Sequence, residues 1–327
     1  MSKKSPKNNL LRAILVVLTV GFVGCGNQAV RTTFTQTSVE VNENLPRVVA
    51  TTSLLCDLTR QVAENTVNLT CLISPNANAK IYKPKPEDRK AIEQANLILY
   101  TGYNFEPNVI KLIKSTKNSA PKIAVAQIAV SNPQKFIQGG KRVNDPHIWH
   151  NTKNAIAMVE VINSNLKKLT SSDTELYTNN TQKITNELTQ LDQWIASRIA
   201  SIPTKQRRLV TTSDAFGYYA KAYGISLAGG MEGISSQEKL TTLRVNNLAK
   251  NIKQAKVPTI FPEVAINPNL IQSVATEADV KTSKRQLYSE GLGEPGGEAD
   301  TYQKMMIANT RTIVEGLGGT YLMFQTK

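Results

Sequence analysis

Two histidines, His147 and His150, and three cysteines, Cys25, Cys56 and Cys71, are all the imidazole and thiol chemistry available in 327 residues. No histidine cluster and no four-cysteine zinc ribbon can be built from so few. The chain has no phosphate-cradling G-x-x-x-x-G-K loop, no dinucleotide glycine fingerprint and no G-x-S-x-G elbow. With no recognisable nucleophile and base, an enzyme is not expected. Interest therefore falls on Cys25, on the pair Cys56 and Cys71, and on what His147 can combine with.

Cys25 closes an N-terminal signal. Lys3, Lys4, Lys7 and Arg12 precede the uncharged, mostly apolar run Ala13 to Val23, which ends in Val23-Gly24-Cys25. A basic stretch followed by about 7–15 apolar residues is a secretory signal, and it is short of the roughly 20 that a membrane-spanning helix needs. Val23-Gly24-Cys25 resembles a bacterial lipobox, after which cleavage leaves Cys25 as an acylated N-terminus on the outer side of the membrane. Lysine and arginine outnumber acids 39 to 25, a formal charge of +14, of which residues 1–24 carry four positive charges and no negative one. In an exported chain this excess reads as a solvated surface near anionic lipid rather than a nucleic-acid site. In such a compartment Cys56 and Cys71, fifteen residues apart, either close a loop contributing about 3 kcal/mol or remain two separately buried thiols.

The elements that position these residues follow from periodicity. Hydrophobic residues make up 40% of the chain and charged residues 20%, enough for one or two packed cores. Strand patterns at 48–52, 67–73, 96–100 and 123–126 alternate with helical patterns at 54–64 and 87–94, which implies a parallel sheet covered by helices. From 154 to 202 no strand is expected. Ile184, Leu188, Leu191 and Ile195 recur at helical spacing, predicting one long helix over about 173–200. Alternation then resumes, with strands at 208–212, 258–261 and 284–288 and helices at 215–223, 240–255, 268–278 and 301–316. The expected fold is α/β: two lobes, each a mainly parallel sheet flanked by helices, joined by one long rigid helix. The expected organisation is a signal peptide at 1–24, a polar tether at 25–46, an N-terminal lobe at 47–170, a linking helix at 171–202 and a C-terminal lobe at 203–327. Ligands of open parallel sheets bind beyond the strands' C-terminal ends, so a cleft between the lobes is the expected site.

Six segments occur in a telling order: Val49-Ala50-Thr51-Thr52-Ser53-Leu54-Leu55, Tyr82-Lys83-Pro84-Lys85-Pro86-Glu87-Asp88, Asn96 through Glu106, Asp145-Pro146-His147-Ile148-Trp149, Ser213-Asp214-Ala215-Phe216-Gly217-Tyr218 and Ala299-Asp300-Thr301-Tyr302. Together they resemble the zinc/manganese substrate-binding lipoproteins of ATP-driven importers (the cluster 9 type). The resemblance implies an extracytoplasmic, lipid-anchored monomer that holds one divalent metal between its lobes with four side chains and delivers it to a membrane permease. Some proteins of this type are also known as surface adhesins.

Carried over one at a time, the four positions give an unusual set. The first, a histidine in the family, is Lys80. The second is His147. The third, a histidine or glutamate, falls on Ser213, with Asp214 beside it. The fourth, an aspartate, is Glu290. A protonated lysine has three donors and no lone pair, so Lys80 is no ligand at neutral pH. Three readings stay open: a divalent metal bound by His147, Glu290 and Asp214 with Lys80 swung outward; no metal, with the Lys80 ammonium paired to Glu290 and hydrogen-bonded to His147; or an anion or small chelate drawn by Lys80. If a metal binds, oxygen-weighted donors and the lack of a histidine-rich loop favour manganese over zinc. Glu232 and Glu263 are expected as hydrogen-bond partners behind the site, Trp149 as a core anchor and His150 as a surface loop residue. Lys80, Lys83, Lys85 and Lys90 form a basic stretch, either a solvated face or a docking surface.

Overall fold

The computed structural model describes residues 42–138, 141–227 and 241–326. Cys25, the signal segment, all but the end of the tether (from Asn42) and Glu232 lie outside them.

The first lobe is built on a four-stranded parallel sheet: β1 (Arg47–Ala50), β2 (Asn68–Cys71), β3 (Leu97–Tyr100) and β4 (Lys122–Ala124), in the order β2-β1-β3-β4. Val48, Val49, Ala50, Leu97, Ile98 and Leu99 are all buried, as expected of strands covered on both faces. Helices α1 (Ser53–Ala63), α2 (Pro86–Gln94) and α3 (Pro107–Ser115) make the crossovers, and the short α4 (Val125–Ala129) follows β4. Thr52 starts α1 by accepting from Leu55 N at 3.3 Å, while Pro86 and Pro107 open α2 and α3 at positions whose N–H is not needed. An antiparallel pair, β5 (Lys135–Gln138) and β6 (Lys141–Asn144), then leads into the His147 segment.

Helix α5 (Thr152–Leu169) packs against α6 (Thr174–Ala200). The 27 residues of α6 span about 40 Å. Tyr177, Thr181, Ile184, Leu188, Leu191, Ile195 and Ile199 form its buried stripe, the three-and-four spacing that turns one face of a helix to a core. This helix connects the two lobes and also lies along α1 and α10 (Tyr302–Gly316).

The second lobe holds shorter strands. β7 (Arg208–Leu209) pairs in parallel with β8 (Ser226–Leu227), and β9 (Thr259–Ile260) with β10 (Lys281–Thr282). Parallel bridges Thr211 to Phe261 and Glu263 to Leu287 extend the pattern toward the cleft. Helices α7 (Gly217–Tyr223), α8 (Thr242–Ala255), α9 (Pro268–Ala278) and α10 cover these strands. The expected strand over 284–288 is a correction. The strand lies earlier, at Lys281–Thr282, because Ser283 turns the chain: its hydroxyl donates to Arg285 O at 2.8 Å and accepts from Arg285 N. Only Leu287 of the expected run bridges to a neighbour.

Cys56 and Cys71 are joined by a disulfide with Cα atoms 5.8 Å apart, tying α1 to β2. The reading with two separate thiols is thereby set aside.

The lobes touch directly around α1. Leu292 N donates to Ser53 Oγ at 3.0 Å, Asn76 N donates to Leu292 O, and Asp57 accepts from Tyr302 N at 2.8 Å.

Candidate metal centre

Each residue of the cleft arrives on a different element. Lys80 lies in the coil before α2, held there by its own N–H donating to Asn78 Oδ1. His147 follows β6, Ser213 and Asp214 follow β7, Glu263 follows β9, and Glu290 lies between β10 and α10. Most of these positions are loops at the C-terminal ends of strands, where open parallel sheets gather ligands.

Lys80, His147 and Glu290 meet. Lys80 Nζ donates to Glu290 Oε1 at 2.8 Å and lies 3.2 Å from His147 Nε2. The Glu290 side chain is 3% exposed and that of Lys80 29%. An ammonium can only donate, so His147 Nε2 accepts and the ring proton sits on Nδ1. There it meets Asp145 Oδ1 at 2.7 Å, and the same oxygen accepts from His147 N. Asp145 thus fixes both the tautomer and the ring orientation. Its other oxygen lies against Gly217, where a Cβ would come within 3.1 Å of it, so the glycine makes room for the carboxylate. Phe105 stands edge-on to His147 with ring centroids 5.7 Å apart.

The electrostatics follow from this packing. Burial alone would raise the Glu290 pKa, but Lys80 and His147 more than offset it and hold the carboxyl below the ordinary carboxylate range. Glu290 Oε2 is buried with no hydrogen-bond partner among the described residues. On His147, burial and the Lys80 ammonium oppose a second proton, while Asp145 and Glu290 favour it and prevail, raising its pKa. Accepting that proton ends the Lys80 contact and leaves Nε2–H facing Glu290 Oε1, 3.6 Å away.

Ser213 turns elsewhere. Its N–H and hydroxyl both donate to Glu263, at 2.6 and 2.7 Å. Glu263 is fully buried, and burial raises its pKa. Asp214 is half-buried and already partnered. His150 is corrected from surface residue to core: it is completely buried, stacks on Phe216 and donates Nε2–H to Ser289 O at 3.0 Å. Burial, reinforced by nearby His147, pushes its pKa down to about 3. The sequence misread it because the carbonyl it serves lies 139 positions away. Trp149 is buried in the core. Asp145 is the residue that sequence reasoning passed over, although its place two before His147 was visible.

As a seat for a divalent ion the cluster fits poorly. Its two strongest donors, His147 Nε2 and Glu290 Oε1, both face an ammonium, and the hydroxyl proton of Ser213 is given to Glu263. Among the described residues no three His, Cys, Asp or Glu side chains gather as a metal-binding group.

Residues 48–316 match the family model described as zinc-uptake complex component A, periplasmic. The chain belongs to this family. Its members are substrate-binding components of ABC transporters, not enzymes. The chain is similar to the metal ABC transporter substrate-binding lipoprotein ScbA of Streptococcus cristatus, 29% identical over 93% of this chain and 97% of the relative. The manganese ABC transporter substrate-binding lipoprotein PsaA of Streptococcus pneumoniae is 30% identical over 83% and 89%. Among solved structures, the periplasmic zinc-binding protein TroA of Treponema pallidum superposes with a TM-score of 0.77 at 29% identity, covering 84% of this chain and 99% of that one. These relatives divide between manganese and zinc by name. Among the described residues no helix is long and apolar enough to cross a membrane.

Proposed function

We propose that this family member is an importer-type binding lipoprotein, anchored through Cys25 after loss of residues 1–24, whose cleft is closed by its own cation. The Lys80 ammonium takes the part that a divalent metal plays elsewhere, and the chain meets its permease as a monomer in a form that does not depend on metal supply. The observation that carries this reading is Lys80 Nζ lying between Glu290 Oε1 and His147 Nε2. A divalent ion placed 4 Å from that ammonium meets a repulsion of about 8 kcal/mol at an effective dielectric of 20, twice the value for two unit charges.

A second reading draws support from the 29% exposure of the Lys80 side chain and from Glu290 Oε2, which has no partner among the described residues. In it Lys80 swings outward and manganese, favoured over zinc by oxygen-weighted donors, enters against His147, Glu290 and Asp214.

The double variant Lys80→His with Ser213→Glu restores two ligand types at the positions inferred for them. Calorimetric titration of this variant with manganese is expected to give micromolar or tighter binding; no binding by a folded double variant would refute this assignment of the four positions.

A further inference from the structure

Beside the Lys80 cluster, walled by residues of the first lobe, lies a cavity of about 550 Å³, within the range of roughly 300–1,000 Å³ of small-molecule sites. Its walls include Lys80, Tyr103, Asn104, Phe105, Phe136 and Arg142, and among the described residues no acidic side chain lines it. Of the three N–H bonds on Lys80, one serves Glu290 and one His147, and the third has no hydrogen-bond partner among the described residues. Arg142, exposed on β6, makes no ion pair or side-chain hydrogen bond among the described residues. Phe105 places its ring centroid 6.0 Å from Lys80 Nζ, and Phe136 continues the aromatic wall to within 6.4 Å of the His147 ring.

We infer that this cavity binds a small organic monocarboxylate, its carboxylate shared by Arg142 and the third Lys80 N–H and its apolar body lying against Phe105, Phe136 and Tyr103. The charge balance selects a single negative charge. Glu290 already offsets Lys80, so Arg142 supplies the net positive charge, and a dianion such as phosphate would face Glu290 and Asp145 without further compensation. The aromatic walls call for an apolar body that inorganic anions lack. A guanidinium fork matches a carboxylate in two parallel hydrogen bonds. The inference rests on the reading in which Lys80 stays inside the cleft.

The test is isothermal titration of the mature, unacylated chain with benzoate, isovalerate, inorganic phosphate and manganese chloride as separate arms. Saturable binding of benzoate or isovalerate in the millimolar range or tighter is expected, with phosphate weaker. Arg142→Gln, on an exposed position outside the Lys80 contacts, should weaken carboxylate binding by about tenfold or more, and Arg142→Lys should recover part of the loss. No saturable heat with either carboxylate, binding that Arg142→Gln leaves unchanged, or phosphate binding as tight as the carboxylates would overturn the assignment. Manganese binding to the wild-type chain would overturn the Lys80 reading beneath it, whereas silence in all four arms overturns the carboxylate site alone.

Discussion

Replacing Lys80 by methionine would take the ammonium from the buried Glu290 carboxylate and leave only His147, 3.6 Å away, to take up a proton in partial compensation. Breaking such a pair typically costs about 3–5 kcal/mol, reduced here to about 2–3 because Lys80 is partly exposed. Adding Glu290→Gln to that variant should recover most of the loss, and chemical denaturation of the single and double variants checks it. A second expectation concerns acid. Unfolded His150 takes up a proton near pH 6.5, but in the folded chain burial delays this to about 3. Between those values the unfolded state binds more protons, so stability falls as pH drops, by about 2 kcal/mol on reaching pH 5. His150→Gln keeps an N–H for Ser289 O and removes the titration. Denaturation midpoints at neutral pH and at pH 5 should therefore separate less for the variant than for the wild type, and an equal separation would contradict the assignment. At this scale Lys80, His147 and Glu290 were legible because short motifs fix their register. Asp145 was passed over although its partner His147 is two residues away, and the role proposed for Arg142 depends on a wall that only the fold assembles.

Among the elements, the disulfide between α1 and β2 spans fifteen positions and should contribute about 3 kcal/mol through the unfolded chain. Reductant is expected to lower the melting temperature of the wild type and to leave that of Cys56→Ala/Cys71→Ala unchanged; an unshifted wild-type melt would contradict this. The four strands of the first sheet and the long helix α6 were readable because their apolar residues repeat at the right period. Several other elements were not. α3 received no assignment, although Pro107 at its start and Val109, Ile110, Leu112 and Ile113 are a helical signature. The β5–β6 pair reads Lys-Phe-Ile-Gln and Lys-Arg-Val-Asn, too short and without the strict apolar alternation of a strand, and Gly139-Gly140 between them was its one signal. β10 is two residues long, Lys281–Thr282, and was displaced in the reading by the more apolar Leu287-Tyr288.

For the whole molecule, fold and site give different messages. Parallel sheets joined by α6, together with a family match over residues 48–316, place the chain among importer binding components. In the cleft of that fold an ammonium joins His147 to Glu290, and in the proposed function it stands in for a cation from outside. Direct hydrogen bonds between the lobes, such as Leu292 N to Ser53 Oγ and Tyr302 N to Asp57, join them without using Lys80, His147 or Glu290. The decisive measurement is calorimetric titration of the chelator-stripped mature chain with manganese and zinc, paired with thermal melts in the same buffers. With Lys80 in the place of the metal, no binding heat and no shift in melting temperature are expected with either ion, and stoichiometric micromolar binding of manganese or zinc to the wild-type chain would contradict this.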